Sequence, residues 1–409
     1  MPWKESLMAD QRMRFVSACL DEQDSMALLC RRFGITRRTG YKWLERFRQE
    51  GPSGLIDRSR APLTHPNQIE REVEKEILSM RTVHPTWGAR KLLAALMRRS
   101  DQQGREIDWP AASTVVQMLR RAGLVVPRRR RYHGSAATAG VCGVAAATGP
   151  NHRWCADFKG WFRTGDGSRC EPLTITDAHS RFLLRCQATS SPMHAVVRGL
   201  FEATFREFGM PEAIRTDNGE PFASVGLRGM SRLAVWWIRL GITHERIEPG
   251  HPQQNGSHER MHGTLKQETA NPPAGSLRAQ QARFNAFRME YNQERPHEGL
   301  PAMATPQSLY TASPRPFPDR LPQPLYPSDH VVRYVDINGK FRWKDKKVRL
   351  CKPLGEQTIG LQPLELSWPH CEPQMSRYWT VRFGPVELGV LDGEAGQMLS
   401  ERARRLLLA

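Results

Sequence analysis

The sequence predicts a multidomain chain: all-α units at the N-terminus, an α/β core, and a small all-β barrel at the C-terminus. Three observations carry this reading. Apolar residues recur at helical intervals through residue 125, and short strand-like runs begin after Asn151. Beyond a Pro-rich stretch from Pro314 to Pro327 there are only brief runs, two of them joined by Asn338-Gly339. At 409 residues the chain is too long for one ordinary core. The divisions expected are 1–60, 65–125, a basic flexible connector over 126–150, 151–310 and 325–398.

The first helix is expected within residues 8–20, from the spacing of Met13, Val16, Cys19 and Leu20. Ser25 is placed to cap a second helix, Met26 to Phe33, which Gly34 ends. Thr36 is placed to cap a third, running to about Glu50. Two helices joined by a short Gly-containing turn form the helix-turn-helix pattern. On the third, Trp43, Leu44 and Phe47 make an apolar stripe, which leaves Arg37, Arg38, Lys42 and Arg46 to face DNA. The same pattern also fits a plain three-helix bundle with a solvated basic face. Gly40, inside this helix, costs about 1 kcal/mol relative to Ala and is expected to weaken it.

A second unit of the same type is expected from Ile69, Val73 and Ile77, then Leu92, Leu93 and Leu96 after Trp87-Gly88, then Val115, Val116, Met118 and Leu119, closed by Gly123. Arg128, Arg129, Arg130 and Arg131 follow on the connector, where phosphate contact competes with simple solvation.

Charge supports a polyanionic partner. Lys and Arg number 60 against 42 Asp and Glu, a formal +18, and residues 1–131 alone hold 26 basic and 15 acidic side chains. Nucleic acid or an acidic membrane surface would satisfy that excess. No apolar run of about 18 residues is present to span a bilayer, and Met1-Pro2-Trp3-Lys4-Glu5 lacks the apolar stretch of a secretory signal. The eight cysteines show no Cys-x-x-Cys pair and read as reduced thiols of a cytoplasmic protein.

From Asn151, strands are expected over Trp154–Trp161, Glu171–Thr176 and Phe182–Thr189, then a helix from Met193 to Phe208 stopped by Gly209. Another short strand ends at Thr216, a helical segment precedes Gly241, and a further helix begins near Asn255. In the C-terminal part, Val331–Ile337 and Lys340–Trp343 flank Asn338-Gly339 as a hairpin, with strands near Ile359–Leu364 and Tyr378–Phe383.

Three acids stand out by position: Asp157 in the first strand, Asp217 at the end of a later strand, and Glu259 at the start of a helix. Any one of them alone fits a turn or surface residue. Strand-end carboxylates in an α/β sheet lie where ligands bind. Three converging there need cations, and hard oxygen ligands suit Mg²⁺ or Mn²⁺. Two such ions about 3.5–4 Å apart serve phosphoryl transfer.

The order Asp157, Thr216-Asp217-Asn218-Gly219, Pro252-x-x-Asn255-Gly256-x-x-Glu259-Arg260 resembles the catalytic core of retroviral-type integrases and bacterial insertion-sequence DDE transposases. Tyr291-Asn292-x-x-Arg295-Pro296-His297-x-x-Leu300 with Pro306 resembles the end of that core. Met1-Pro2-Trp3-Lys4-Glu5, Gly40-Tyr41-Lys42-Trp43 and Gly54-Leu55-x-Asp57-Arg58-Ser59-Arg60 resemble stand-alone bacterial members, so the likeness covers residues 1–310. Asp217 and Glu259 are 42 positions apart, longer than the shortest spacings of the group.

The resemblance implies an RNase H-like core in which Asp157, Asp217 and Glu259 bind two Mg²⁺ ions, with Mn²⁺ as substitute. It implies water attack at the element's ends to free a 3′-hydroxyl, which then attacks target DNA. Asn218, Gly219, Asn255 and Gly256 would shape the loops around the metals, and Arg260 and Lys266 could reach phosphates. The expected partners are terminal inverted repeats, target DNA and at least a second copy of the chain. The expected setting is the bacterial cytoplasm, at the nucleoid.

Competing readings remain at this stage. His258-Glu259-Arg260-Met261-His262 satisfies the His-Glu-x-x-His pattern of zinc proteases, although no third ligand follows at a recognisable spacing. A DNA-binding regulator that has lost catalysis would share the helical units. Asp177 fits a turn better than the triad. His244, His251 and His297 are candidates to contact DNA or steady the site.

Overall fold

The N-terminal helices begin where the sequence places their caps. In the computed structural model, α1 (Met8–Leu20), α2 (Met26–Arg32) and α3 (Arg37–Glu50) are separated by two short turns. Ser25 Oγ accepts from the Leu28 N–H at 3.4 Å, and Thr36 Oγ1 from that of Thr39 at 3.2 Å. Gly34 takes φ +67° between α2 and α3. Phe15, Val16, Leu29, Cys30, Trp43 and Leu44 form the core of this bundle. Gly40 corrects one expectation, because it is a contact point and not a weak link. A Cβ there would lie 2.7 Å from Cys30 Sγ and 2.9 Å from Phe15 Cζ, so the missing side chain lets α3 cross α1 and α2 closely.

The structure describes residues 8–58, 69–125, 147–224, 226–248, 251, 254, 256–364 and 377–408. The chain divides into two units, Met1–Glu70 and Arg71–Ala409.

The second unit opens with α4 (Arg71–Val83), α5 (Ala89–Gln102) and α6 (Ala112–Arg121), which bury Val73, Ile77, Leu92, Leu96, Val115 and Leu119. Trp87, only 1% exposed, stacks on His84 with ring centroids 3.8 Å apart.

Five strands make the central sheet: β1 (Arg153–Phe158), β4 (Leu173–Asp177), β5 (Leu183–Gln187), β6 (Ala213–Thr216) and β7 (Thr243–Arg246). The short β2 (Phe162–Arg163) and β3 (Arg169–Cys170) pair separately. The order is β5-β4-β1-β6-β7, antiparallel from β5 to β1 and parallel from β1 to β7. On one face, α7 (His194–Phe208) and α8 (Arg232–Arg239) cover Trp154, Ala156, Ile175 and Ile214. On the other lie α9 (Gly256–Thr269) and α10 (Leu277–Gln293), whose Met261, Leu265, Phe284 and Phe287 meet Leu183 and Cys186.

Strand alternation then decides which side chains face α9. With Trp154 and Ala156 on the α7 side, Arg153 and Asp157 fall on the α9 side. Thr174, Thr176 and Arg215 do the same on β4 and β6. Arg153 and Arg215 both bind Glu245 on β7, at 2.6 and 2.8 Å, which ties the three strands together.

After α11 (Pro306–Leu309), the Pro-rich segment is strapped to the core. Arg315 Nη1 donates to Pro211 O at 2.6 Å, and Phe317 packs on Phe205 and Trp236.

The C-terminal part holds β8 (Val331–Tyr334), β9 (Lys340–Trp343), β10 (Lys346–Arg349), β11 (Thr358–Pro363), β12 (Tyr378–Phe383), β13 (Val386–Asp392) and β14 (Gln397–Met398), then α12 (Glu401–Leu408). It is half a barrel: an antiparallel sheet in the order β14-β13-β12-β11-β8, with β9 and β10 packed against it through Phe341, Trp343 and Val348. The expected hairpin about Asn338-Gly339 survives as a turn with one bridge, Val335 to Phe341. Its arms part because β8 pairs with β11, while β9 finds β10 across a tighter turn.

From Leu233 to Ile238, α8 is buried all round. Leu233, Trp236 and Trp237 face the central sheet, whereas Ala234, Val235 and Ile238 join the C-terminal core. No helix among the described residues is long and apolar enough to cross a membrane, and the described cysteines are free thiols.

Candidate active site

Asp157 is the penultimate residue of β1, and Asp217 follows the last residue of β6. Ala156 and Thr216 are partners in the parallel register, so the two aspartates leave adjacent strand ends on the α9 side. Glu259 lies in the first turn of α9 and is exposed. Burial raises the Asp157 pKa first, Asp217 next, and Glu259 adds to it. Together they push it up to about 7 against the pull of the Phe158 N–H and Lys159. Three carboxylates from separate elements thus bear on one another.

The loop after β6 is shaped around Asp217. Its Oδ1 accepts the Gly219 N–H at 3.1 Å, and a Cβ on Gly219 would sit 3.0 Å from Asp217 Oδ2. Asn218 Nδ2 donates to Ile247 O at 2.8 Å, which pins the turn to the chain beyond β7. His244 Nε2 meets Thr216 Oγ1 at 2.9 Å and packs edge-on against Trp237, so it steadies this strand end from the α8 side. Asn255 and Pro252 lie outside the described residues.

The His-Glu-x-x-His pair turns inward. Both nitrogens of His258 are engaged, Nδ1 with Thr176 Oγ1 at 2.8 Å and Nε2 with Thr174 Oγ1 at 2.7 Å. His262 Nε2 also meets Thr174 Oγ1 at 2.7 Å, and its Nδ1 lies 3.7 Å from Asp157 Oδ2. That last contact is no ion pair, because burial pushes the His262 pKa down to about 2 and keeps the ring neutral. Asp157, His258 and His262 have ligand atoms within 4.8 Å of one another. A cation held there would need the single lone pair of neutral His258, whose two ring nitrogens already hydrogen-bond the threonines. Glu259, meanwhile, is exposed in the first turn of α9 and forms no part of this cluster. This arrangement disfavours a zinc-protease centre.

Asp177 takes the turn role its spacing suggests. Its carboxylate accepts from Asn151 N, Ser180 N and Ser180 Oγ at 2.6–2.8 Å. His297 is buried beside Tyr291, and His251 lies exposed near Glu248.

Of the cations read as DNA contacts, Arg37, Arg38 and Lys42 are exposed on α3. Arg46 is half-buried with its guanidinium 5.1 Å from the Trp43 ring. Arg260 and Lys266 are exposed on α9, and Arg128, Arg129, Arg130 and Arg131 lie outside the described residues. Sequence reasoning missed Thr174 and the inward use of His262. The one available signal was the alternation that places Thr174 on the same face as Asp157.

Comparison with known proteins agrees with this architecture. Residues 147–252 and 240–306 match integrase core domain families, residues 11–62 a helix-turn-helix domain and residues 39–119 a homeodomain-like domain. The insertion element IS407 uncharacterized 31.7 kDa protein of Burkholderia multivorans is 27% identical over 256 residues, 61% of this chain and 86% of that protein. The insertion element IS476 uncharacterized 39.2 kDa protein of Xanthomonas euvesicatoria is 34% identical over 157 residues. That match covers 38% of this chain and 43% of that protein. The HTLV-2 integrase catalytic core domain, solved in complex with magnesium, is 18% identical. It aligns with 40% of this chain and 99% of its own length at a TM-score of 0.32, which carries no weight. Its helix-turn-helix and integrase core domains and its insertion-element relatives support an insertion-sequence transposase with an integrase-type core, a polynucleotidyl transferase.

Proposed function

We propose that the protein binds the terminal inverted repeats of its element and performs strand cleavage and strand transfer with Asp157, Asp217 and Glu259. The observation that carries this is the crowding of Asp157 by Asp217 at the adjacent strand end and by Glu259 on α9. An all-oxygen set that repels itself fits a pair of hard divalent cations, Mg²⁺ or Mn²⁺. Bound there, the ions would activate the attacking oxygen and stabilise the leaving one. The chain's own residues hold the carboxylates in place: Gly219 leaves Asp217 unhindered, and Thr174 with His262 borders Asp157. In the first reaction water attacks a phosphodiester at the element end and a 3′-hydroxyl departs. In the second that hydroxyl attacks target DNA, so one P–O bond forms as another breaks. Joining two ends calls for at least two protomers.

The test is incubation of purified protein with labelled element ends and Mg²⁺ or Mn²⁺. Nicks at the terminus are expected. They should disappear in Asp157→Asn, Asp217→Asn and Glu259→Gln while DNA binding persists. Nicking retained by a folded variant removes that residue from the triad.

A further inference from the structure

Beside the carboxylates, one turn along α9, lies a cavity of about 380 Å³ that the proposed chemistry does not use. Three cations from three elements line it: Lys91 on α5, Arg181 in the turn between β4 and β5, and Arg260 next to Glu259. None has a side-chain hydrogen bond or ion pair among the described residues. Arg295 also lines the cavity, but Glu268 and Glu290 take its charge. Glu298 is the one acid among the described lining residues. Burial and Arg295 lower the Lys91 pKa against the pull of Glu298, Glu268 and Glu290, and burial and Arg260 lower that of Arg181 against Tyr291.

The chain is shaped to hold Arg181 in this place. Its backbone has φ +62°, a left-handed conformation that a non-glycine residue adopts only when its surroundings impose it. Asp177 imposes it, since its carbonyl accepts the Arg181 N–H at 2.9 Å and its carboxylate binds Ser180. Gly299 provides the space, because a Cβ there would lie 2.1 Å from Arg181 Nη2. The segment Tyr291 to Leu300, conspicuous in the sequence but absent from the triad, therefore helps build this cavity.

We propose that the cavity binds a backbone phosphate of the DNA, gripped jointly by Lys91 of the helical module and Arg181 and Arg260 of the core. A guanidinium presents paired donors to a phosphate, and Ser257 lines the same wall with a hydroxyl. The site locks DNA held by α4–α6 in register with Glu259. This inference rests on the reading of the protein as a DNA-cutting transposase.

The experiment measures binding of element-end DNA to the full chain across salt concentrations, with single neutral methylphosphonate linkages scanned along each strand. For Arg181→Gln, affinity should fall about tenfold and the salt slope by about one. One methylphosphonate position should weaken wild type by a similar factor and leave the variant unaffected, and Arg181→Lys should restore part of the affinity. If Arg181→Gln melts early, Lys91→Gln makes the same measurement. Unchanged affinity and slope in a folded variant overturn the proposal. So does inorganic phosphate stabilising wild type alone when no linkage shows position-specific loss, which makes it a free-anion site. Wild type that binds as expected but never nicks the ends defeats the proposed function and leaves the phosphate site standing.

Discussion

His262 reaches two residues of the sheet at once: its Nε2 lies 2.7 Å from Thr174 Oγ1 and its Nδ1 3.7 Å from Asp157 Oδ2. Thr174 is the cross-strand partner of Asp157 in the antiparallel register, and its hydroxyl also lies 3.1 Å from the Asp157 carbonyl. Helix α9 thus brings Glu259 to the site and braces Asp157 from behind.

His262→Gln should lower the single-turnover nicking rate about 10–100-fold, the range found when groups supporting a metal ligand are removed. The Mg²⁺ concentration at half-maximal rate should rise as well. A rate and a Mg²⁺ response equal to wild type would show that the imidazole does not brace Asp157. His258→Gln acts differently, because it strips the buried hydroxyls of Thr174 and Thr176 of a partner. Its first effect should be a lower melting temperature.

Asp157 makes the metal-free protein sensitive to pH. A carboxyl raised to about 7 in the folded chain favours its protonated form there. Its contribution to stability is therefore full below about pH 4 and is lost as pH rises through about 7. Melting temperature without divalent ions should fall between pH 5 and 8, and Asp157→Asn should flatten that fall. Mg²⁺ should restore wild type at pH 8 far more than the variant. An identical pH profile for the two proteins would contradict the crowding of the three acids.

Gly40→Ala should destabilise the N-terminal bundle by about 1–3 kcal/mol, the usual range for overpacking, although Ala is the better helix former. The added methyl would collide with Cys30 and Phe15. Hydrogen exchange across α1–α3 reads this directly. Slower exchange in the variant would mean that helix propensity outweighs packing.

Replacing Arg37, Arg38 and Lys42 by Ala should weaken binding to the inverted repeats by a few kcal/mol at most and flatten its salt dependence. These side chains are exposed, with Lys42 Nζ also lying 5.0 Å from the centre of the Trp43 ring. Equal affinity of residues 1–131 for random DNA and for the repeats would remove sequence recognition from this region.

Local chemistry made much of the fold legible. Ser25, Gly34 and Thr36 mark helix ends through bonds made within four residues, and alternation marks β1, β4 and β5. The end of the first hairpin arm was not legible, because β8 chooses β11 over β9 through pairing across more than 20 residues. The acids proposed for the site were singled out by their order in the sequence. Their brace could not, since nothing in the sequence around His262 says that Thr174 lies opposite Asp157. Lys91, Arg181 and Gly299 meet only because three distant segments converge.

The double burial of α8 has a consequence for anyone dividing this chain. A cut through the Pro-rich strap at 314–327 would look like a cut between domains. It would leave Ala234, Val235 and Ile238 of the catalytic half exposed to water, with Met230 beside them. The half-barrel is in that sense the outer wall of the enzyme's own core. Exchanging it for a relative's C-terminal part should succeed only when the replacement brings a matching apolar face, whatever DNA it prefers.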